Sequence, residues 1–414
     1  MLITGLHEVY TALGREAAGA EPEIQCIPDG AILVTEGIIR DIGPRQQLMA
    51  AYGGEEIVDM GGRTAIPAFV DPHTHLVWGG DRAGEFNRRL HGANYVDIAK
   101  AGGGIKATVK QTRAATAEEL TNKARRTLDH MLGHGTATIE AKTGYGLNQA
   151  AELKQLEVMD HLAGEHPVEI HQTFMGAHEV PEEYKGRPSA YIDYLNEELL
   201  PLVAQRGTVR YVDIFCERGV FELEDSRNHL AAAKALGFQL RMHADELAPL
   251  GGAGLAAELG AVTADHLIHA SREDIARMAT AGTTAVLLPG TSFFLRTHFA
   301  DAAAFLAAGV PVALSTDFNP GSSHTISQPL MMALACMHMG LTFEQAFAAV
   351  TLNAAATLDA ADRLGSLETG KQADIVFLDA PSALHLVYYW GVNHVSDVMK
   401  AGAFAWRHGR LVPS

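Results

Sequence analysis

Eight short apolar segments alternate with Ala- and Leu-rich segments through the middle of this chain, and this alternation limits the folds open to it. The Ala- and Leu-rich segments, such as residues 150–164, have the apolar spacing of helices. The predicted strands cover residues 68–77, 136–142, 168–178, 209–217, 239–245, 261–269, 284–290 and 311–317. Eight strands that alternate with helices predict a (β/α)8 barrel of the TIM type, in the α/β class.

An open, doubly wound sheet is the competing architecture. No predicted strand is followed by the G-x-G-x-x-G turn that is typical of that fold. Polar residues recur instead at the carboxyl ends of the strands, which is the rim where barrels form their sites. The barrel is therefore the favoured interpretation.

Both ends of the chain differ from the middle. Residues 24–44 contain two β-rich runs joined by Thr35, Glu36 and Gly37, which is the pattern of a tight hairpin. Short β-rich runs return at residues 373–380 and 395–413. We therefore expect a small β-sandwich domain built from residues 1–66 plus 363–414, and a barrel domain over residues 67–362.

Charge and cysteine content exclude several classes of partner. The chain has 32 Lys and Arg against 49 Asp and Glu, a net charge of −17, which argues against a nucleic acid or an anionic membrane as partner. Cys26, Cys216 and Cys336 are far apart and form no CxxC motif, which fits a reducing compartment. No secretory signal or membrane-spanning run is visible, so we expect a cytoplasmic protein.

Histidines at the ends of the predicted strands indicate a metal site. His73 and His75 are two residues apart on the first strand, so both rings point to the same face. The fifth strand ends in His243 and the eighth in Asp317. Three imidazoles and one carboxylate suit Zn²⁺ or iron and leave a coordination position for water. A single histidine would more often be a surface or hydrogen-bonded residue, but the joint pattern favours a metal.

Two further residues are candidates for proton transfer. Glu246 lies three residues after His243 and could accept a proton from water, although it could also be a glutamate at a helix start. His266, on the sixth strand, is a candidate for stabilising an oxyanion, whereas His269 is interpreted as a loop residue. Whether Glu246, Asp317 or His266 takes the first proton stays open.

Loops at the same rim carry candidate substrate contacts. Arg82, on a Gly-rich loop, could bind a carboxylate through two hydrogen bonds, or it could pair with Asp81 or Glu85. Tyr145 lies on a glycine-flanked loop, and His178 closes the third strand. Residues 319–323 offer amides and hydroxyls as an anion cradle, with a helix cap as the alternative.

Several motifs, in order, resemble the imidazolonepropionase family of the amidohydrolase superfamily, and the resemblance covers nearly the whole chain. The HxH pair and Asp317 are common to the superfamily, whereas GGDRAGEF, KTGYGL and DFNPGSS are more diagnostic. Two departures are Ala68 after Pro67, where Gly is usual, and His324, where Pro is common. The segments that carry the resemblance are residues 67–105, 139–147, 174–184, 243–247, 264–269, 287–296 and 315–323.

The resemblance implies hydrolysis of the cyclic amide of 4-imidazolone-5-propanoate to N-formimidoyl-L-glutamate, the third step of histidine degradation, by a homodimer. It implies one metal ion, Zn²⁺ or Fe²⁺/Fe³⁺, because the fourth strand has no Lys to bridge two metals. The implied metal ligands are His73, His75, His243 and Asp317, and the implied catalytic residues are Glu246, His266 and Asp317. The implied contacts to a substrate with a carboxylate tail, or to its product, are Arg82, Tyr145, His178, Glu246, Asn319, Gly321 and Ser322.

Two other functions fit part of the pattern. An aminohydrolase that acts on a purine or pyrimidine would use the same His, Glu and Asp set, but Arg82 and residues 317–323 would have no carboxylate to bind. A catalytically silent scaffold would be expected to lose metal ligands, and none is missing here. We therefore expect a hydrolase whose substrate carries an acidic tail.

Overall fold

The computed structural model describes residues 1–13, 23–92 and 103–412, which form two eight-stranded sheets. The strands, numbered in chain order, are β1 (Leu2–Leu13), β2 (Glu23–Thr35), β3 (Ile38–Pro44), β4 (Ile57–Pro67), β5 (Phe69–Thr74), β6 (Thr136–Lys142), β7 (Glu169–Ala177), β8 (Val209–Cys216), β9 (Gln239–Ala244), β10 (Thr263–His266), β11 (Thr284–Leu287), β12 (Val312–Leu314), β13 (Ile375–Leu378), β14 (Val395–Lys400), β15 (Ala403–Arg407) and β16 (Arg410–Leu411).

Strands β5 to β12 lie side by side in chain order and pair in parallel throughout. A parallel bridge between Thr74 and Phe318 brings β5 next to the segment that follows β12, and the amide of His75 donates to the carbonyl of Phe318 at 2.9 Å. The sheet therefore nearly closes on itself. The predicted (β/α)8 barrel is confirmed, and the doubly wound alternative is excluded because its strand order is not sequential.

Helices follow most of the barrel strands and cover the outside of the sheet. The described helices are Arg45–Tyr52, Ala83–Leu90, Ile105–Ala114, Ala117–Gly133, Gln149–Glu165, Pro188–Tyr194, Leu200–Arg206, Leu223–Ala235, Gly252–Leu259, Arg272–Ala281, Pro289–Leu295, Ala302–Ala307, Gln328–His338, Phe343–Ala349, Leu352–Ala356 and His385–Tyr388, with a 3₁₀ turn at Glu182–Tyr184 and a π-helical turn at Leu195–Leu199.

Helix Ala117–Gly133 shows how the local sequence sets these elements. The hydroxyl of Thr116 accepts a hydrogen bond from the amide of Glu119, whose carboxylate accepts one from the amide of Thr116. This capping box contributes about 1 kcal/mol to the helix start. The side chains spaced by one turn, among them Leu120, Ala124, Leu128 and Met131, are buried against the barrel.

The two chain ends meet in the second sheet, whose strand order is β16-β15-β14-β13-β4-β1-β2-β3. Antiparallel pairing of β13 with β4, with Ile375 opposite Pro67, joins the ends. The β2–β3 hairpin is confirmed, and both turn residues, Glu36 and Gly37, have positive φ values of 52° and 79°. Both chain ends therefore form one continuous mixed sheet, separate from the barrel sheet. The division into domains at residues 66 and 363 stays a prediction.

Glu169, at the start of β7, links the barrel to the sheet from the chain ends. Its carboxylate pairs with Arg363 and with Lys400 of β14, which also contacts Asp374 at 2.7 Å between Nζ and Oδ2. Burial alone would raise the pKa of Glu169, but hydrogen bonds from His171 and Arg363 and the charge of Lys400 outweigh it and lower that pKa. The interface between the two sheets is therefore partly ionic.

No helix among residues 1–13, 23–92 and 103–412 combines the length and the hydropathy needed to cross a bilayer.

Candidate active site

The predicted site residues meet at the carboxyl-terminal end of the barrel, around a cavity of about 520 Å³. This is the rim at which parallel barrels expose the side chains that end their strands. His73 is fully buried beneath the cavity. The other predicted site residues all line it, namely His75, Arg82, Tyr145, His178, His243, Glu246, His266, Asp317, Asn319, Gly321 and Ser322.

Two carboxylates fix the orientation of two of the predicted metal ligands. The Nδ1 of His73 lies 2.6 Å from Oδ2 of Asp265, and the Nδ1 of His243 lies 3.0 Å from Oδ2 of Asp213. Each ring therefore turns its other nitrogen, Nε2, toward the cavity. A carboxylate behind a histidine ligand sets both the tautomer and the direction of the ring.

The donor set of this cluster fits a metal ion. The Nε2 atoms of His73 and His243 are buried and have no hydrogen-bond partner, although buried ring nitrogens are normally satisfied. The Oδ1 of Asp317 lies 3.5 Å from Nε2 of His73 and 3.6 Å from Nε2 of His75. Two groups of three donors here could each hold a cation, namely His73 with His75 and Asp317, and His73 with His243 and His266. His266 also lies within reach, because its ring centroid is 5.1 Å from that of His243.

Most of the protonation states point the same way, although the carboxylate of Asp213 outweighs burial and raises the pKa of His243. Burial lowers the pKa of His73, His75 and His266, so their rings are neutral, which is the form that binds metals. Burial also raises the pKa of Asp317 to about 7, although Thr291 donates a hydrogen bond to its Oδ2 at 2.6 Å. A buried acid beside neutral imidazoles lacks the positive charge that a metal ion would supply.

A buried ionic cluster lies below the histidines, and the sequence analysis did not identify it. The Nζ of Lys142 lies 2.8 Å from Oε1 of Glu140, 2.8 Å from Oδ2 of Asp213 and 3.8 Å from Oδ2 of Asp265. All four side chains are fully buried. The signal that could have revealed them is a charged residue within an otherwise apolar strand, since such a residue requires a buried partner.

Glu246 and His266 lie next to each other at the cavity wall, with 3.5 Å between Oε2 and Nε2. Burial, and then the charge of Asp317, raise the pKa of Glu246 to about 8. The expectation that Glu246 starts a helix is wrong. Asp245 accepts hydrogen bonds from the amides of residues 250–253, so the helix begins only at Gly252, and Glu246 projects from the preceding loop.

Tyr145 and His178 pack against the ring of His75. The ring centroids of His178 and His75 are 4.8 Å apart with 17° between the planes, and Tyr145 lies 5.7 Å from His75. The carbonyl of Gly144 lies 3.1 Å from Nδ1 of His178. Burial lowers the pKa of His178 to about 3, so its ring is neutral; with Nδ1 donating to the carbonyl of Gly144, Nε2 is left as an acceptor for a ligand.

The loop after β12 is held by its own asparagine. The Oδ1 of Asn319 accepts hydrogen bonds from the amides of Gly321 and Ser322 at 2.7 and 2.8 Å, and its Nδ2 donates to the carbonyl of Asp317 at 2.7 Å. The two amides of the predicted anion cradle therefore point at Asn319 in this structure. Contacts of Asn319, Gly321 and Ser322 with a product stay a prediction.

Arg82 lies at the outer wall of the cavity and forms the ion pair that the sequence left open. Its Nε donates to Oε2 of Glu85 at 3.0 Å, and its Nη2 contacts Oε1 of the same carboxylate. Asp81 accepts instead from the amide of Ala83. The Nη1 of Arg82 points toward Gly321, where an added Cβ would lie 2.1 Å from it. Substrate binding by Arg82 stays a prediction.

Comparison with known proteins places this site in a family. The sequence profile of the amidohydrolase family matches residues 64–405. An imidazolonepropionase from Geobacillus kaustophilus (strain HTA426) is 46% identical over 419 residues, which cover 99% of each chain.

Two solved structures share the fold at low sequence identity. A triazine hydrolase variant has a TM-score of 0.75 at 18% identity, covering 100% of this chain and 96% of its own. An adenosine deaminase from Xanthomonas campestris with bound zinc has a TM-score of 0.66 at 20% identity, covering 100% of this chain and 94% of its own. By its match over nearly its full length, the chain belongs to the imidazolonepropionases of the amidohydrolase family.

Proposed function

We propose that this protein hydrolyses the ring amide of 4-imidazolone-5-propanoate to N-formimidoyl-L-glutamate. The observation that carries the proposal is a single cavity that has potential metal ligands at one end and an arginine at the other. Its inner end holds the buried His and Asp donors, and its outer wall holds Arg82. A ring with a carboxylate tail matches both ends, and the relative from Geobacillus kaustophilus is named for this substrate.

The proposed metal ligands are His73, His75, His243 and Asp317, with one Zn²⁺ or iron ion as the cofactor. When bound, such an ion acts as a Lewis acid and lowers the pKa of water. The Nε2 atoms of His73 and His243, which are buried without a hydrogen-bond partner, support this assignment. The fourth barrel strand offers no Lys, and the buried Lys142 on β6 is already ion-paired, which supports a single metal.

The proton transfers are assigned to Glu246 and His266. Burial raises the pKa of Glu246 to about 8, so its ionised carboxylate is a strong enough base to take a proton from water and return it to the leaving ring nitrogen. The neutral ring of His266 is placed to donate a hydrogen bond to the oxygen that becomes negative as the ring carbonyl is attacked. Arg82 would bind the propionate tail and so hold the ring in one orientation.

The decisive test is a direct assay of the purified protein with 4-imidazolone-5-propanoate, beside a panel of cyclic ureas, adenosine and guanine. We expect turnover of the imidazolone alone, with N-formimidoyl-L-glutamate identified by mass spectrometry. Turnover of a nucleobase without turnover of the imidazolone would overturn the proposal. His243→Ala should abolish activity and metal content, whereas His269→Ala, outside the cavity, serves as the matched control.

Three finer points accompany the proposal. Metal analysis after removal and return of Zn²⁺ or Fe²⁺ should give one equivalent per chain and identify the ion that restores activity. We also propose a homodimer, which light scattering after gel filtration would detect. A reducing cytoplasm is supported by Cys26, Cys216 and Cys336, none of which forms a disulfide in the structure.

A further inference from the structure

Helix Ala83–Leu90 carries a second arginine that faces the cavity. Arg82, Glu85 and Arg89 all line the cavity wall, at positions spaced by about one turn of the helix. Only Arg82 was expected there from the sequence. The neighbouring Arg88 is exposed and does not line the cavity.

The positive charge of Arg82 is already neutralised by an ion pair with Glu85. Both oxygens of Glu85 bind the guanidinium of Arg82, and Oε2 of Glu85 also accepts a hydrogen bond from the amide of Gly104 at 2.8 Å. Glu85 is buried, and its side chain is 8% exposed, so solvent screens this pair little. Arg82 therefore retains one free nitrogen, Nη1, but little uncompensated charge for an anionic ligand.

Arg89 lacks such a close partner, although the charge of Glu85 also acts on it. Among the residues that the structure describes, no carboxylate forms an ion pair with it, and its Nε is buried without a hydrogen-bond partner. The Nη2 of Arg89 donates to the carbonyl of Gly321 at 3.1 Å, and its guanidinium carbon lies 4.8 Å from the ring centroid of Phe294. A positive charge is thus held at the cavity wall by a backbone carbonyl and an aromatic ring.

The two guanidinium groups converge on Gly321. Nη1 of Arg82 approaches its Cα so closely that a Cβ there would lie 2.1 Å away, and Nη2 of Arg89 binds its carbonyl. Together, Arg82, Glu85 and Arg89 carry a net charge of +1, and without Arg89 that sum is zero. The attraction for an anion at this wall therefore depends on Arg89.

We infer that Arg89 is a specificity-determining residue that binds the substrate carboxylate together with Nη1 of Arg82. This inference rests on the proposed function, because it identifies where the acidic tail of that substrate binds. Two guanidinium groups around one carboxylate give charge-assisted hydrogen bonds from both sides. The wall then selects ring substrates with an anionic tail over neutral rings of the same size.

The experiment compares Arg89→Gln, Arg89→Lys and the matched control Arg88→Gln with the metal-loaded wild type. kcat and KM are measured for 4-imidazolone-5-propanoate and for its analogue with an uncharged amide tail. We expect Arg89→Gln to raise KM for the acid about 10- to 100-fold, with kcat nearly unchanged and with little effect on the amide. Arg89→Lys should recover most of the binding, and Arg88→Gln should match the wild type.

A KM for the acid within twofold of wild type in Arg89→Gln would overturn the inference. An equal loss for the acid and the amide would overturn it too, since that pattern indicates a structural role. If the wild type does not hydrolyse the imidazolone at all, the proposed function fails instead. The inference is then decided by calorimetric binding of imidazole-4-propanoate, where equal affinities of wild type and Arg89→Gln would refute it.

Discussion

Asp265→Ala is the substitution that best tests how the barrel orients its proposed metal ligands. Asp265 is fully buried and does not line the active-site cavity, so it does not contact the substrate. Its Oδ2 lies 2.6 Å from Nδ1 of His73, and no other group of the described residues hydrogen-bonds that nitrogen. Without the carboxylate, the ring of His73 can rotate and choose either tautomer.

The expected loss of stability in Asp265→Ala depends on which ion pairs remain around Lys142. Lys142 lies 3.8 Å from Asp265 but 2.8 Å from both Glu140 and Asp213, so its ammonium keeps two partners in the variant. The cost to folding is therefore that of one charge-assisted hydrogen bond, about 1.5–3 kcal/mol. Removing the carboxylate behind a histidine ligand typically weakens metal binding about 10- to 100-fold, which corresponds to about 1.4–2.7 kcal/mol.

The assay is competition for Zn²⁺ between the protein and a chelator of known affinity, beside urea unfolding of the metal-free protein. Asp301→Ala is the control, because Asp301 caps the surface helix Ala302–Ala307 and its loss should reduce stability by about 1 kcal/mol without changing metal affinity. An affinity of Asp265→Ala within twofold of wild type would refute the orienting role, whatever happens to stability.

Four further outcomes are expected. Glu246→Gln should lower kcat at least about 100-fold with normal metal content, measured by steady-state kinetics and metal analysis; near-normal turnover would remove Glu246 from proton transfer. Arg82→Ala should mainly raise KM, and metal loss would contradict a role at the substrate tail. Gly321→Ala should raise KM as well, because its Cβ displaces Arg82, and a crystal structure would show the shift. Glu169→Gln should lower the free energy of unfolding by about 1–3 kcal/mol near pH 7. Since the folded pKa of Glu169 is lowered, this difference should hold above the unfolded pKa of about 4.3 and shrink as the pH falls below it, as urea titrations at several pH values would show.

The barrel could be predicted because its strands are marked by local sequence alone. The apolar run at residues 136–142 coincides with β6, Thr136–Lys142. Every residue of this strand is buried, so its sequence is a nearly continuous apolar run. The strand predicted at residues 261–269 is longer than β10, Thr263–His266. His266, the last residue of β10, and Leu267 have positive φ values of 72° and 61°, which end the strand there, and no glycine in the sequence marks this point.

The sequence predicted the side chains that line the candidate site, but not the residues that hold those side chains in place. Residues at strand ends converge on the rim whatever the exact fold, so His73, His243 and Asp317 could be grouped without coordinates. The carboxylates behind them could not, because Asp265 is 192 positions from His73 and no local pattern connects the two. The choice of Glu85 as the partner of Arg82 depended on helix Ala83–Leu90, whose first turn places Glu85 beside Arg82 at its N-cap.

The proposed metal ligands and the residues proposed to bind the substrate tail are held by different parts of the barrel. His73 and His243 are fixed by carboxylates on β8 and β10, whereas Arg82 and Gly321 belong to loop segments held by hydrogen bonds of their own. Among the described residues, the hydrogen bonds that link the proposed metal ligands to the residues proposed to bind the tail run through Asp317 and the loop after it. Substitutions behind the histidines should therefore change metal affinity with little change in KM of the reloaded enzyme, and those around Gly321 should do the reverse. Proportional changes in both quantities across the two sets of variants would show that the groups act as one unit.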